Sequence, residues 1–176
     1  MQLIISTRDQ VLTRYGNQLA ALGEGQARAA LSRALNHEGD KGRTQVKRVL
    51  VKQTGIKYSA VNKAMATVRS TPATLTYTLK ARGDETNIAW FGGVQRRKGV
   101  SAAPWNKRRI FARSFIVPRF GRAFLRTSKS RLPIRPLYGP NLARELVKDS
   151  SAAAWQSGVA NIVARVGHEI GRMLPR

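Results

Sequence analysis

The chain has 176 residues, 42% of them apolar and 23% charged, and its 32 Lys plus Arg against 9 Asp plus Glu give a formal net charge of +23. That length and apolar share suit one folded domain, or one domain with a helical extension, rather than a disordered chain. The absence of cysteine excludes disulfides, thiolate metal sites and cysteine nucleophiles, while the excess positive charge implies a polyanion or an acidic protein as its native counterpart.

In chain order, Gln2–Ser6 predicts a short strand. Its apolar run of three residues is too short for a signal-peptide core, and no stretch approaches the roughly 20 apolar residues of a membrane span. A soluble protein made in the cytoplasm, without a membrane partner, is expected. Thr7 followed by Gln10 fits a capping box, in which hydroxyl and amide each satisfy a free backbone N–H. The helix it opens places Val11, Leu12, Tyr15, Leu19 and Leu22 at helical spacing and stops at Gly23.

A second helical pattern runs from Gly25 to Thr54 and ends at Gly55, with Ala27, Leu31, Ala34, Leu35, Val46, Val49 and Leu50 on its apolar face. Gly39 and Gly42 interrupt it, each costing about 1 kcal/mol relative to Ala in a helix interior. The expectation is two helices with a joint near 37–42. A short helix from a Ser59 cap to about Val68 follows.

Pro72 marks a change of period. Residues 73–81 alternate Ala73, Leu75, Tyr77, Leu79 and Ala81 against polar positions, the pattern of a half-buried strand. The turn Arg82–Glu85 follows, then strand candidates at 87–94 ("NIAWFGGV"), 110–117 ("IFARSFIV") and 122–127 ("RAFLRT"). The proline-punctuated 132–142 excludes regular helix before Gly139, and a helix is expected from Pro140 or Asn141. Trp155, Val159, Ile162, Val163, Val166, Ile170 and Leu174 form the stripe of a final amphipathic helix.

These elements predict a single α+β domain: N-terminal helices at 1–70, a central antiparallel β region with long basic loops at 71–131, then a proline-punctuated linker and C-terminal helix at 132–176. Fourteen of the basic residues fall at 86–144, where no acidic residue occurs. The densest stretch, "RRKGVSAAPWNKRR", supplies the candidate DNA- or partner-contacting residues Arg96, Arg97, Lys98, Lys107, Arg108 and Arg109, with Arg113 just beyond.

Sites for chemistry are not expected. His37 with Glu38 and Asp40 lacks the i, i+4 spacing that puts two metal ligands on one helix face, and His168, on the polar face of the last helix, reads as a solvated histidine. "GDKG" has GxxG spacing without flanking strands, and "FGGVQRRKG" lacks the P-loop spacing, so both read as turns. No catalytic, cofactor-binding or metal-binding residue is assigned, and no cofactor is expected. Seven aromatics (Trp90, Phe91, Trp105, Phe111, Phe115, Phe120 and Phe124) interleave with the central cations, as in proteins that stack bases and neutralise phosphates. Their largely alternating positions nevertheless favour a core role, and Trp105 reads as a buried anchor. Nonspecific phosphate contact stays open; sequence-specific recognition is not expected.

Several segments together carry a family resemblance. "RALNHEGDKGRTQVKRVLVKQTGI" at 33–56, "KGVSAAPWNKRRIFARSFI" at 98–116 and "LPIRPLYGPNLARE" at 132–145 are similar to the minor tail protein Z family, the tail completion proteins of long-tailed bacteriophages and prophages. The likeness spans roughly residues 1–145 and weakens over the last helix; the Gly39/Gly42 pair departs from it. It implies a structural virion protein at the head-proximal end of the tail, which helps complete the tail and join it to the head beside the DNA channel. A homo-hexameric ring with closing head-to-tail contacts is implied, as are tail-terminator and neck or connector proteins and genomic DNA as partners. The alternative reading is a nonspecific, electrostatically driven nucleic-acid-binding protein.

Overall fold

The structure, a computed structural model, describes residues 1–6 and 10–174, with the side chains of 5–13 outside that description. The expected capping box at Thr7 therefore lies outside the described residues. Helix α1 (Gln10–Leu22) ends at Gly23, and α2 (Glu24–Thr54) begins directly after it. Gly55, at φ 74°, closes α2 in the left-handed conformation that glycine adopts without a Cβ penalty, donating its N–H to the Val51 carbonyl.

The expected joint at 37–42 is absent: α2 is one unbroken helix of 31 residues, about 46 Å long. Its glycines are a packing notch. A Cβ at Gly39 would lie 2.6 Å from the Tyr77 ring, and one at Gly42 would lie 2.8 Å from the Trp155 ring. The two rings sit side by side, their centroids 6.0 Å apart. Both face the helix where it has no side chain, so close packing offsets the poor helix propensity.

Helix α3 (Tyr58–Ala64) is shorter than expected, because Met65–Val68 leaves the helix and becomes strand β2. Together with β1 (Gln2–Ser6) and β3 (Thr76–Ala81) it forms an antiparallel sheet of order β1-β3-β2. As the alternation predicts, β3 buries Tyr77, Leu79 and Ala81. Pairing with β3 satisfies the backbone of Met65–Val68 in register, Met65 opposite Ala81 and Val68 opposite Thr78.

Two further antiparallel sheets follow, β4 (Val94–Arg96), β5 (Gly99–Ala102) and β6 (Arg109–Ala112), then β7 (Ser114–Val117), β8 (Arg122–Arg126) and β9 (Ile134–Pro136). Three expectations are corrected here. "NIAWFGGV" is mostly a 3-10 turn at Ile88–Trp90, not a strand. Buried Asn87 holds it, accepting from the N–H groups of Ala89 and Ala123 and donating to the Ala123 carbonyl. "IFARSFIV" is two strands in different sheets, broken at Arg113, which has φ 59°. The basic triplets do not lie in long loops: 97–98 is the tight turn between β4 and β5, and 107–108 links a 3-10 turn at Pro104–Asn106 to β6.

After Asn141, whose side chain accepts from the Arg144 N–H, the chain forms α4 (Leu142–Leu146), α5 (Asp149–Val159) and α6 (Ile162–Gly171). The C-terminal stripe thus belongs to two helices, not one. The break lets Trp155 pack with Leu35, Val46, Leu50 and Leu79, while Val166 and Ile170 pack with Leu19, Ala27 and Leu31. Gly158 of α5 meets Gly42 so closely that a Cβ there would lie 2.5 Å from the Gly42 Cα.

The fold is α+β, with its two larger clusters of buried side chains under the helices. The basic β-rich half has a smaller one of Ile88, Val100, Ala102 and Ala123. No helix among the described residues is long and apolar enough to cross a membrane.

Candidate polyanion-facing surface

The ion pairs among the described residues lie mainly in the helical half. Glu24 pairs with Arg28, Glu38 with Lys41, Asp40 with Arg43 and Arg69, Glu145 with Lys148, and Glu169 with Arg33 and Arg165. Glu85 pairs with Arg144. None of the thirteen cations from Arg96 to Arg135 has an ion-pair partner among the described residues. Like charges that close together repel one another unless an external anion offsets them.

The seven cations singled out in the sequence do not form one grip. Arg96 pairs with Gly99 at one end of the β4-β5-β6 sheet, and Ala102 pairs with Arg109 at the other. The triplets Arg96–Lys98 and Lys107–Arg109 are therefore separated by the length of β5, roughly 10 Å at about 3.4 Å per residue. Arg113 follows β6 and returns to the first end. Gly99 makes the turn there possible: its φ is 140°, and a Cβ would lie 2.0 Å from the Phe111 carbonyl oxygen.

At this first end the structure forms a cleft of about 390 Å³, between the β4–β5 hairpin and the β7–β8 pair. Arg97, Lys98, Arg113, Arg126 and Lys129 line it, and no acidic residue does. Three of these were singled out from the sequence; Arg126 and Lys129 were not. They lie far along the chain and reach the cleft because β7 and β8 pair, with Ser114 opposite Leu125. Ser114 ties the two sheets together, its hydroxyl accepting from the Val100 N–H at 2.8 Å and donating to the Phe111 carbonyl.

The second triplet serves its own surroundings. Arg108 donates to the Gly92 carbonyl and the Ser101 hydroxyl, and the Arg109 guanidinium lies over Phe111, 4.7 Å from its centroid. Lys107 has no side-chain partner among the described residues.

The aromatics divide. Phe91 is buried, and Phe115 stacks on Phe124 across β7 and β8 at 6.3 Å. Trp90 and Phe120 are each 60% exposed, contrary to the expected core role. Both sit in turns, where strand alternation does not govern direction.

Trp105 is half-buried and its indole N–H donates to Oε1 of Glu145, 3.1 Å away. Glu145 also accepts from Gln53 and from Lys148. Burial alone pushes the Glu145 carboxyl up; the bonds from Lys148, Trp105 and Gln53 outweigh it and hold the group below its ordinary range. Asn106 completes the tether by donating to the Lys52 carbonyl at 2.7 Å. Gln53, Trp105 and Glu145 come from three separate stretches of the chain, 33–56, 98–116 and 132–145. Asn36, from the first of them, brackets Ser70, donating to its carbonyl and accepting from its N–H.

Other features hold no convergent chemistry. "GDKG" is interior to α2, not a turn. His37 contacts Glu38 at 3.0 Å, and His168 is exposed. Among the described residues no three of His, Cys, Asp and Glu gather as a metal site would require. Two further cavities, of about 590 and 700 Å³, flank Trp90 and share Ile56, Ala60 and Thr86 in their walls. No family model, curated protein or solved structure matches this chain.

Proposed function

We propose that the chain is a structural virion protein, a tail completion protein at the head-proximal end of a phage tail, that acts by assembly and catalyses no reaction. The observation that carries this reading is the division of charge. Every ion pair among the described residues lies outside Arg96–Arg135, while the thirteen cations of that stretch of the β-rich half have no ion-pair partner among the described residues. Such a half is stable in an assembly that supplies the missing anions. The choice of assembly rests on the tail-protein resemblance, whose shared residues are used here as tethers: Gln53, Trp105, Glu145 and Asn36 fix elements to one another.

In this reading six copies form a ring beside the DNA channel, between tail-terminator and neck or connector proteins, with the basic half toward DNA or an acidic neighbour. The test is the protein content of purified tails from a phage or induced prophage that encodes this chain. Mass spectrometry is expected to find it in the particles, at about six copies per tail. Absence from the particles, with a monomeric isolated protein, overturns the proposal.

The same unpaired cations favour a second reading, a free-standing protein that binds nucleic acid without sequence preference. Tight duplex binding together with absence from tails would select it.

A further inference from the structure

We propose that the cleft at the end of the β4–β5 hairpin is a seat for the phosphodiester backbone of nucleic acid, and that it reads no sequence. This rests on the reading above that the basic half faces a polyanion.

Five cations enter the cleft from two sheets and three turns or strand ends, and the concavity has no acid of its own. Their positions are fixed by the fold. Arg97 and Lys98 are the two residues of a tight turn, Arg113 is held at φ 59° between β6 and β7, and Arg126 ends β8. A non-glycine residue in the left-handed region costs roughly 1–2 kcal/mol. Here it breaks an apolar run and places a guanidinium at the cleft.

The occupant must bring several negative charges into a small volume. Folded protein surfaces mix both signs. Duplex DNA carries a charge for about every 1.7 Å of axis, with no cation among them. Arginine forks match phosphate oxygens in pairs, and three of the five residues are arginines. The cleft offers little to a base. Its one aromatic, Phe115, is already stacked on Phe124, and the Arg126 guanidinium lies over it at 4.9 Å. Contacts confined to phosphates position a strand without specifying it.

The test compares two charge-matched variants of the whole protein on a short random-sequence duplex, by fluorescence anisotropy between about 50 and 200 mM salt. One is R97Q/K98Q/K129Q, in the cleft; the other is K107Q/R122Q/R135Q, outside its lining. None of these six side chains makes a hydrogen bond or ion pair with a described residue, so both variants are expected to melt with the native protein. The cleft variant should flatten the slope of log affinity against log salt by about 2.7, the release of three phosphate contacts, and the outside variant by less than half of that. Two duplexes of different sequence should bind the native protein alike.

Equal flattening by the two variants overturns the cleft assignment and leaves the polyanion-facing surface standing. Failure of the native protein to bind at all overturns both. Displacement of the duplex by oligoglutamate, charge for charge, overturns the phosphodiester assignment in favour of an acidic protein.

Discussion

The indole N–H of Trp105 donates to Oε1 of Glu145 across 3.1 Å, and this bond joins the basic β-rich half to the helical half. Trp105 and Asn106 both have positive φ, at 54° and 56°, a conformation costing non-glycine residues roughly 1–2 kcal/mol each. Two bonds hold them there, one to Glu145 and one from Asn106 to the Lys52 carbonyl. Gly55 leaves the space Asn106 needs: a Cβ on it would lie 2.9 Å from the Asn106 side-chain oxygen.

Replacing this carboxylate should loosen the junction. Glu145→Gln keeps the shape but loses the charge that three donors share, and is expected to lower stability at neutral pH by about 1–3 kcal/mol. The folded carboxyl lies below its ordinary range, so its contribution is present above the unfolded value of about 4.3 and is lost as pH falls through the folded one. Urea unfolding at several pH values checks this. The gap between native protein and variant should be widest near neutrality and should shrink below the unfolded value.

The glycine notch in α2 gives a prediction of opposite sign to helix propensity. Alanine in place of an interior helical glycine ordinarily stabilises by about 1 kcal/mol. Gly39→Ala and Gly42→Ala instead drive a methyl into the Tyr77 and Trp155 rings, and overpacking of that kind costs about 1–3 kcal/mol. Gly25 of the same helix has no atom within 4 Å of a would-be Cβ, so Gly25→Ala should be neutral or stabilising. Thermal denaturation of the three variants separates a packing notch from a flexible joint.

These residues also show what the sequence could and could not disclose. Gly23 and Gly55 were legible as stops because a helix end makes a local demand on φ. Gly39 and Gly42 were not, since the rings that fill the notch lie at 77 and 155, far along the chain. The alternation expected over 73–81 holds only from Thr76, where one face of β3 is buried; Ala73 lies in a turn and Leu75 has φ 45°. "NIAWFGGV" and "IFARSFIV" misled because an apolar run carries no record of where it bends. The cleft was half visible: Arg97, Lys98 and Arg113 are close in sequence, whereas Arg126 and Lys129 join them only through strand pairing.

Tyr77 should ionise late. Burial, with its phenol donating to Asp40 at 2.9 Å, pushes its pKa up to about 12. Because the folded value exceeds the unfolded value of about 10, this group supports the fold fully below that pH and ceases to as pH rises through 12. Ultraviolet titration of the phenolates should show one late step, and Tyr77→Phe should remove it. A native protein whose tyrosines all ionise together near the ordinary value would contradict the burial described here.

The central claim is that the β-rich half carries a cationic surface whose neutralising anions come from outside the chain. The most direct measurement is the affinity of the isolated protein for random-sequence duplex as a function of salt. Clear binding is expected at about 50 mM salt, with a steep linear fall of log affinity with log salt toward about 200 mM. No binding at about 50 mM, where electrostatic attraction is least screened, would contradict it.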